Sequence, residues 1–381
     1  MNYYLSIKGE KFSKFAKGKE GSKMKFRKGM ALLLAAAFVM TGCGSSGGDE
    51  GGSAGGSESS ASGSSDALVV YSPQGDEERG AWIMERAKEE IGVDVQFLCA
   101  GGGELADRLI AEKNSPQADV VMGLAQTQMY QLKDEGILEA YDPSWREGLP
   151  EVYQDKDGYF NSFWQTPIVI AYNTEFVSEE DAPKSWGDLA DEKYAGMFGF
   201  GPTSSQTTRT YLVGILWNYV DPETGEVSDE GWDVLTQMYA NAASMPSTDA
   251  DIWKAFKDGT IPILPWWYGG VVTNCETNDI TPGYVYPESG TPVVAEGIGL
   301  VAGSDNAENA KKFIDWWGSA ETMAAYAEEF DQAPAHPDAI ALCPDEIKES
   351  ATMFTAQEID WEVASAHLDE WLEKIELEIM P

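Results

Sequence analysis

The sequence predicts an α/β protein, a parallel sheet covered on both faces by helices, long enough for two domains. Three observations carry this. Short apolar runs alternate with helical stretches from Ala67 onward, the pattern of a covered parallel sheet. A segment that is first basic, then apolar, then ends in cysteine opens the chain. A Gly/Ser tract separates the two.

Lys25, Arg27 and Lys28 precede an apolar run from Gly29 to Met40. A mature membrane span needs ~20 apolar residues, so this run is short for one and has the build of an export signal. Met40-Thr41-Gly42-Cys43 resembles a bacterial lipobox, in which the signal is cut before a cysteine that then carries lipid. Residues 1–42 are thus expected to be a signal peptide and Cys43 the lipidation site. Residues 1–23 precede a signal that is already complete, so Met24 and Met30 are alternative starts. Residues 43–66 have too little apolar surface to offset their ordering entropy. They are expected to be a tether that holds the body roughly 20–30 Å from the membrane.

The whole chain carries −38. Residues 1–42 hold nine of its 26 basic and two of its 64 acidic residues, leaving 17 against 62, or −45, beyond the signal. Such a surface repels nucleic acid and excludes that class of partner. Cys99, Cys275 and Cys343 have no metal-like spacing. Outside the membrane one disulfide can form, with Cys275–Cys343 the favoured pair, although sequence leaves the pairing open.

Along the body, Ala67–Tyr71 reads as a buried strand ending in the turn Ser72–Gly75, and a helix follows to about Ile91. Val93–Leu98 and Asp119–Gly123 are further strands, followed by helices over 100–113, after a glycine loop, and over 126–136. Ligands of such sheets sit beyond the carboxyl ends of the strands, at the loops 71–75, 100–104 and 123–126. Thr166–Asn173 reads as a strand crossing into a second domain. Helices follow over 209–219, 231–243 and 249–258, and Ile261–Gly270 is strand and turn. Thr291–Val301 looks like a strand pair returning to the first domain. Asn306 starts a helix with Ala310, Phe313, Ile314 and Trp317 on one face, and two helices close the chain.

The order of these elements resembles the extracellular solute-binding proteins of bacterial ABC importers. The likeness is to the two-lobed group with ferric-, thiamine- and phosphorylated-compound-binding members. It rests on Leu68–Ser72, Asn114–Gly123, Ile168–Asn173, Pro202–Ser205, Phe256–Thr260, Tyr286–Thr291 and Asn309–Trp316. The resemblance implies a type II periplasmic-binding-protein-like fold of two α/β lobes, each a mixed, mainly parallel sheet. One lobe would be 67–167 with 282–332, the other 168–281 with 333–381, hinged by crossing segments. A small solute would bind in the cleft, and a permease with its ATPase would recognise the closed form. The expected protein is a monomer outside the cytoplasm, held to the membrane by lipid alone, with no cofactor.

Several residues are candidate ligand contacts. Thr203, Ser204, Ser205, Gln206 and Thr207 present hydroxyls and free N–H groups at a helix start, which suits an anion. Ordinary capping needs only one Ser or Thr. Gly102, Gly103 and Glu104 offer the same geometry in the first lobe, although a tight strand-to-helix turn accounts for them almost as well. Ser72 and Gln74 lie in the loop after the first strand. Trp266, Trp267 and Tyr268 stand where ferric-binding relatives place metal-ligating tyrosines, and indole N–H cannot ligate a metal. Gly75 replaces the relatives' histidine, and Leu124 or Ala125 their carboxylate. Stacking on an organic ligand suits the tryptophans better, with at least one of them core.

A secreted hydrolase is the enzymatic alternative, but the body has no Gly-x-Ser-x-Gly elbow and no His-Glu-x-x-His signature. Its two histidines, His336 and His367, both lie in the last fifty residues. A sensor subunit would use the same cleft. The ligand is expected to be an organic anion such as a phosphorylated sugar or phosphonate. The alternatives are an organic cation such as thiamine or a polyamine, which the acidic surface and the tryptophans would suit, and ferric iron.

Overall fold

The computed structural model describes residues 67–380. The signal peptide, Cys43 and the tether lie outside the described residues.

The first sheet forms around three parallel strands, β1 (Leu68–Tyr71), β2 (Val95–Leu98) and β3 (Val120–Ala125), with Leu68 opposite Val95 and Val70 opposite Val120. Helices α1 (Glu77–Arg86), α2 (Gly102–Ala111) and α3 (Gln126–Asp134) follow these strands in turn. Strand β4 (Leu138–Glu139) is a short edge. Leu68 and Val70 bury one face of β1 with Ile83, Val120 and Met122, while Tyr71 joins Leu105, Leu109 and Val121 on the other. That alternation follows from the two-residue period of a strand.

Two long strands carry the chain between sheets. In β5 (Phe160–Asn173), residues 160–167 pair with β8 (Val293–Val301) in the first sheet, and residues 168–172 pair with β6 (Ile263–Trp267) in the second. β7 (Pro282–Tyr284) adds to the second sheet, and β8 also lies antiparallel to β3. The strand order is β2-β1-β3-β8-β5-β6. Between β5 and β6 come α4 (Gln206–Trp217), α5 (Asp229–Asn241) and α6 (Asp249–Asp258), and α7 (Tyr268–Asn278) follows β6. The chain ends in α8 (Ala307–Trp317), α9 (Ala320–Phe330), α10 (Pro337–Leu342), α11 (Asp345–Thr352) and α12 (Trp361–Lys374), then a π-helical turn, Ile375–Ile379. No helix among the described residues is long and apolar enough to cross a membrane.

The structure departs from the sequence reading at identifiable residues. β5 starts at Phe160, not Thr166, because Asn161, Ser162 and Gln165 are buried polar residues inside it. Gln165 accepts from Tyr153 Oη at 2.6 Å and donates to the carbonyls of Pro334 and Ala351 at 3.1 and 3.2 Å. The expected strand pair at 291–301 is one strand. Gly297 and Gly299 let Met129 of α3 pack against it; a Cβ at Gly297 would stand 3.0 Å from Met129 Cγ. The turn expected at Gly269-Gly270 is the first turn of α7, and a Cβ at Gly270 would strike the indoles of Trp266 and Trp267. Three helices, not two, follow residue 335.

The favoured disulfide is also corrected. Cys275 and Cys343 are both free thiols. Cys275 packs with Val169, Trp253 and Phe256 on the second sheet, whereas Cys343 packs with Leu68, Phe313 and Ala339 on the first and donates to the Ala339 carbonyl at 3.2 Å. The two thiols belong to different cores. Ala335, Ala339, Cys343 and Ile347, in the tail that the sequence reading gives to the second lobe, pack in the core of the first sheet.

Candidate functional site

The candidate site is built where β1 and β3 end beside the crossing strand β8. Ser72, fully buried just after β1, accepts the Gln74 amide N–H at 3.0 Å and so turns the chain tightly. β3 shifts register between Met122 and Leu124, and Gly123 takes φ 82° at this bulge. A Cβ there would approach Ser72 Oγ to 3.3 Å, so glycine serves both the backbone and the space beside the loop.

Glu296 is the residue the sequence reading missed. It sits on β8 opposite Ala125 of β3 and Trp164 of β5. Gln74 Nε2 donates to its carboxylate, while Gln74 Oε1, buried, has no partner. Loss of water around the Glu296 carboxyl pushes its pKa up to about 7, against the Gln74 amide and the Arg79 guanidinium. Next to it, Gln126 Oε1 accepts the Ala295 N–H at 2.9 Å and leaves Gln126 Nε2 unpartnered. Its one sequence signal was a lone acid in the apolar stretch Val293–Val301.

The walls are helix starts. Ser205 is the extended N-cap of α4, yet its side chain makes no capping bond, and Ser204 is exposed. The Thr203 hydroxyl is taken, because it donates to the Glu376 carboxylate, and its carbonyl accepts from Arg209 Nε at 2.7 Å. Gln206 Oε1 accepts from Gln128 Nε2 at 3.5 Å, which brings the start of α4 to α3; Thr207 is partly buried beside it. α2 starts at Gly102 after Gly101 without a side-chain cap, with Gly103 and Glu104 exposed. α3 and α7 also start without one, behind Ala125 and Trp267. By contrast Asp76, Ser228, Thr248, Ser319 and Asp360 cap α1, α5, α6, α9 and α12 through their side chains. α8 and α11 start without a side-chain cap too, so the uncapped starts of α2, α3, α4 and α7 offer first-turn N–H groups without being peculiar to this region.

The aromatic residues divide. Trp267, opposite Ile168 where β5 changes sheets, is 42% exposed. Trp266 lies edge-on to Trp253 at 5.9 Å. Tyr268 is buried against Tyr284 and Phe354, and burial raises its phenol pKa. His336 caps α10 and His367 stacks on Trp371, so neither histidine joins this site.

Away from the cleft, Asp155, Asp157 and Glu362 bring their oxygens close enough to share a metal ion. Lys133 Nζ already donates to all three at 2.8 Å. Burial opposes its charge, but the three carboxylates hold Lys133 above the usual lysine range.

Two sheets joined by the crossing strands β5 and β8 form the frame in which these residues stand. The chain belongs to the bacterial extracellular solute-binding protein family, whose model matches residues 82–355. It is 48% identical over 315 residues to a probable ABC transporter periplasmic-binding protein of Sinorhizobium fredii, covering 83% of this chain and 87% of that one. It is 22% identical to a putative 2-aminoethylphosphonate-binding periplasmic protein of Salmonella typhimurium, over 68% of this chain and 76% of the other. Its fold matches that of the Trichodesmium IdiA (FutA) protein in complex with iron and citrate, with TM-score 0.70 and 19% identity, over 81% of this chain and 98% of that one. The two-lobed solute-binding fold is thus that of the family, and the protein is a solute-binding component of a transporter. A small solute and a permease are its partners, on the outer side of the membrane.

Proposed function

We propose that this protein, anchored by lipid at Cys43, captures an organic anion in its cleft and delivers it to the permease. The open start of α4 carries this reading. Ser204 and Ser205 hold hydroxyls that make no capping bond, beside N–H groups at the positive end of the helix dipole. Gly102 and Gly103 present a second open start from the first lobe. Trp267 would cover the ligand's apolar part. The relative whose name gives 2-aminoethylphosphonate as its ligand is in keeping with an anionic solute.

Ferric iron fits these residues less well. Trp266 and Trp267 offer no oxygen, and deprotonating buried Tyr268 is made costly by desolvation.

Calorimetry of the intact chain against phosphonates, sugar phosphates, thiamine and spermidine tests the reading. Ser204→Ala with Ser205→Ala should weaken anion binding by about 1.5–3 kcal/mol for each hydrogen bond lost. Tight thiamine or spermidine binding that ignores the double substitution would overturn it.

A further inference from the structure

Glu296 and Gln74 put two acceptors at the ends of β1 and β3, with the Arg79 guanidinium as the one cation acting on them among the described residues. The carboxylate receives the Gln74 amide, and Gln74 Oε1, on a side chain about nineteen-twentieths buried, receives nothing. The charged or titratable groups around the carboxylate are few. Arg79 and Asp76 belong to the α1 start; Arg79 stands 3.5 Å from Asp76 with its side chain 41% exposed, and its charge also favours the ionised Glu296 without offsetting the loss of water there. Tyr326 of α9 is the other, a buried phenol beside the Arg79 guanidinium. Trp164 faces the same side of the β5–β8 ladder as Glu296, because directly opposed residues share a face, and its ring lies 5.2 Å from that of Tyr326.

A carboxylate withdrawn from water is costly unless a cation meets it. Two acceptors beside aromatic rings match an ammonium, which brings three donors and one positive charge. We propose that the Gln74–Glu296 pair is the subsite for a protonated amine, so that the solute is a zwitterion: an amino group at this pair and an anionic group at the α4 start. The proposal rests on the anion reading above and narrows it to amino-phosphonates or ω-amino acids.

Matched probes with and without the amine separate the two claims. The intact chain is titrated with 2-aminoethylphosphonate against ethylphosphonate, and with 4-aminobutyrate against butyrate. The amine-bearing member of at least one pair should bind about tenfold or more tightly, the worth of one charge-assisted hydrogen bond. Glu296→Gln, which keeps shape and hydrogen bonding, should remove that ratio. The ratio should also grow as pH rises from 6 to 8 and Glu296 ionises, because the amine stays protonated throughout, and it should stay flat in Glu296→Gln. An unchanged melting temperature at pH 5, where the wild-type carboxyl is neutral, shows that the variant folds. Equal binding within both pairs overturns the amine subsite and leaves the anion reading intact if Ser204→Ala/Ser205→Ala still weakens both members. Failure of both amines to bind also overturns it. Amine-dependent binding that ignores the serine double substitution would instead overturn the anion reading and keep this subsite.

Discussion

Lys133→Met should cost about 3 kcal/mol of folding stability, and most of it should come from a single partner. Lys133 meets three carboxylates at the same 2.8 Å, so distance does not rank them. Exposure does. Asp157 and Glu362 have side chains 62% and 41% exposed, and water resolvates them when the lysine goes, so each pair is worth about 0–1 kcal/mol. The Asp155 side chain is fully buried. Removing its cation leaves a buried charge, a loss of roughly 3–5 kcal/mol. Asp155 keeps the Tyr159 N–H at 2.9 Å, which places the loss near the lower end. Methionine retains the lysine's apolar stem, so packing changes little. Urea denaturation at pH 7 reads the change in midpoint at constant slope. Lys133→Met/Asp155→Asn should recover at least half of the loss, since the uncompensated charge is gone. A loss below about 1 kcal/mol in the single variant, or a double variant no better than the single, would refute the reasoning.

Other expectations follow from particular residues. Glu296 ionises near pH 7 when folded against an ordinary 4.5, so the unliganded chain should lose up to about 3 kcal/mol relative to Glu296→Gln as pH rises from 4.5 to 7. A pH-independent difference across that window would show the carboxyl to be solvated. Gly123→Ala puts a Cβ on φ 82° and against Ser72, and should cost about 1–2 kcal/mol in thermal unfolding; a neutral result would mean that the bulge relaxes freely. Cys43→Ala should move the protein out of the membrane fraction or leave its signal uncleaved, and fractionation followed by blotting decides it. A saturating solute should both shrink the radius of gyration in small-angle scattering and add about 2.7 kcal/mol at a hundredfold excess over Kd. Stabilisation without compaction would count against closure of the lobes.

The parallel part of the fold was readable because its strands are buried on both faces. Leu68–Tyr71 and Val120–Ala125 are continuous apolar runs, each followed by a helix, and the structure places them within a residue or two of the expected bounds. The crossing strands were harder. β5 holds Asn161, Ser162 and Gln165 inside a buried strand, and polar residues there look like a loop until their partners on distant segments are known. In β8 the opposite happened: glycines that allow α3 to pack closely resemble a turn, since close approach and sharp reversal both select for a missing side chain.

The candidate site was legible only where its residues form a local pattern. A run of hydroxyl residues before a helix can be seen in one window of sequence, and Ser205 is the N-cap of α4 with no side-chain capping bond. Glu296 leaves no such pattern. Gln74 lies 222 residues before it in the chain, and the two meet only because β8 passes beside the ends of β1 and β3. The same pairing makes its charge consequential: on an exposed strand this carboxylate would titrate near its ordinary value, whereas beside Ala125 and Trp164 it loses water and ionises near neutrality. Total charge pointed to a cation and the helix start to an anion. The two signals conflict only if one group on the ligand must answer both. On the proposed zwitterion, acceptors at Gln74 and Glu296 and donors at the α4 start would let one small molecule answer each with a different end.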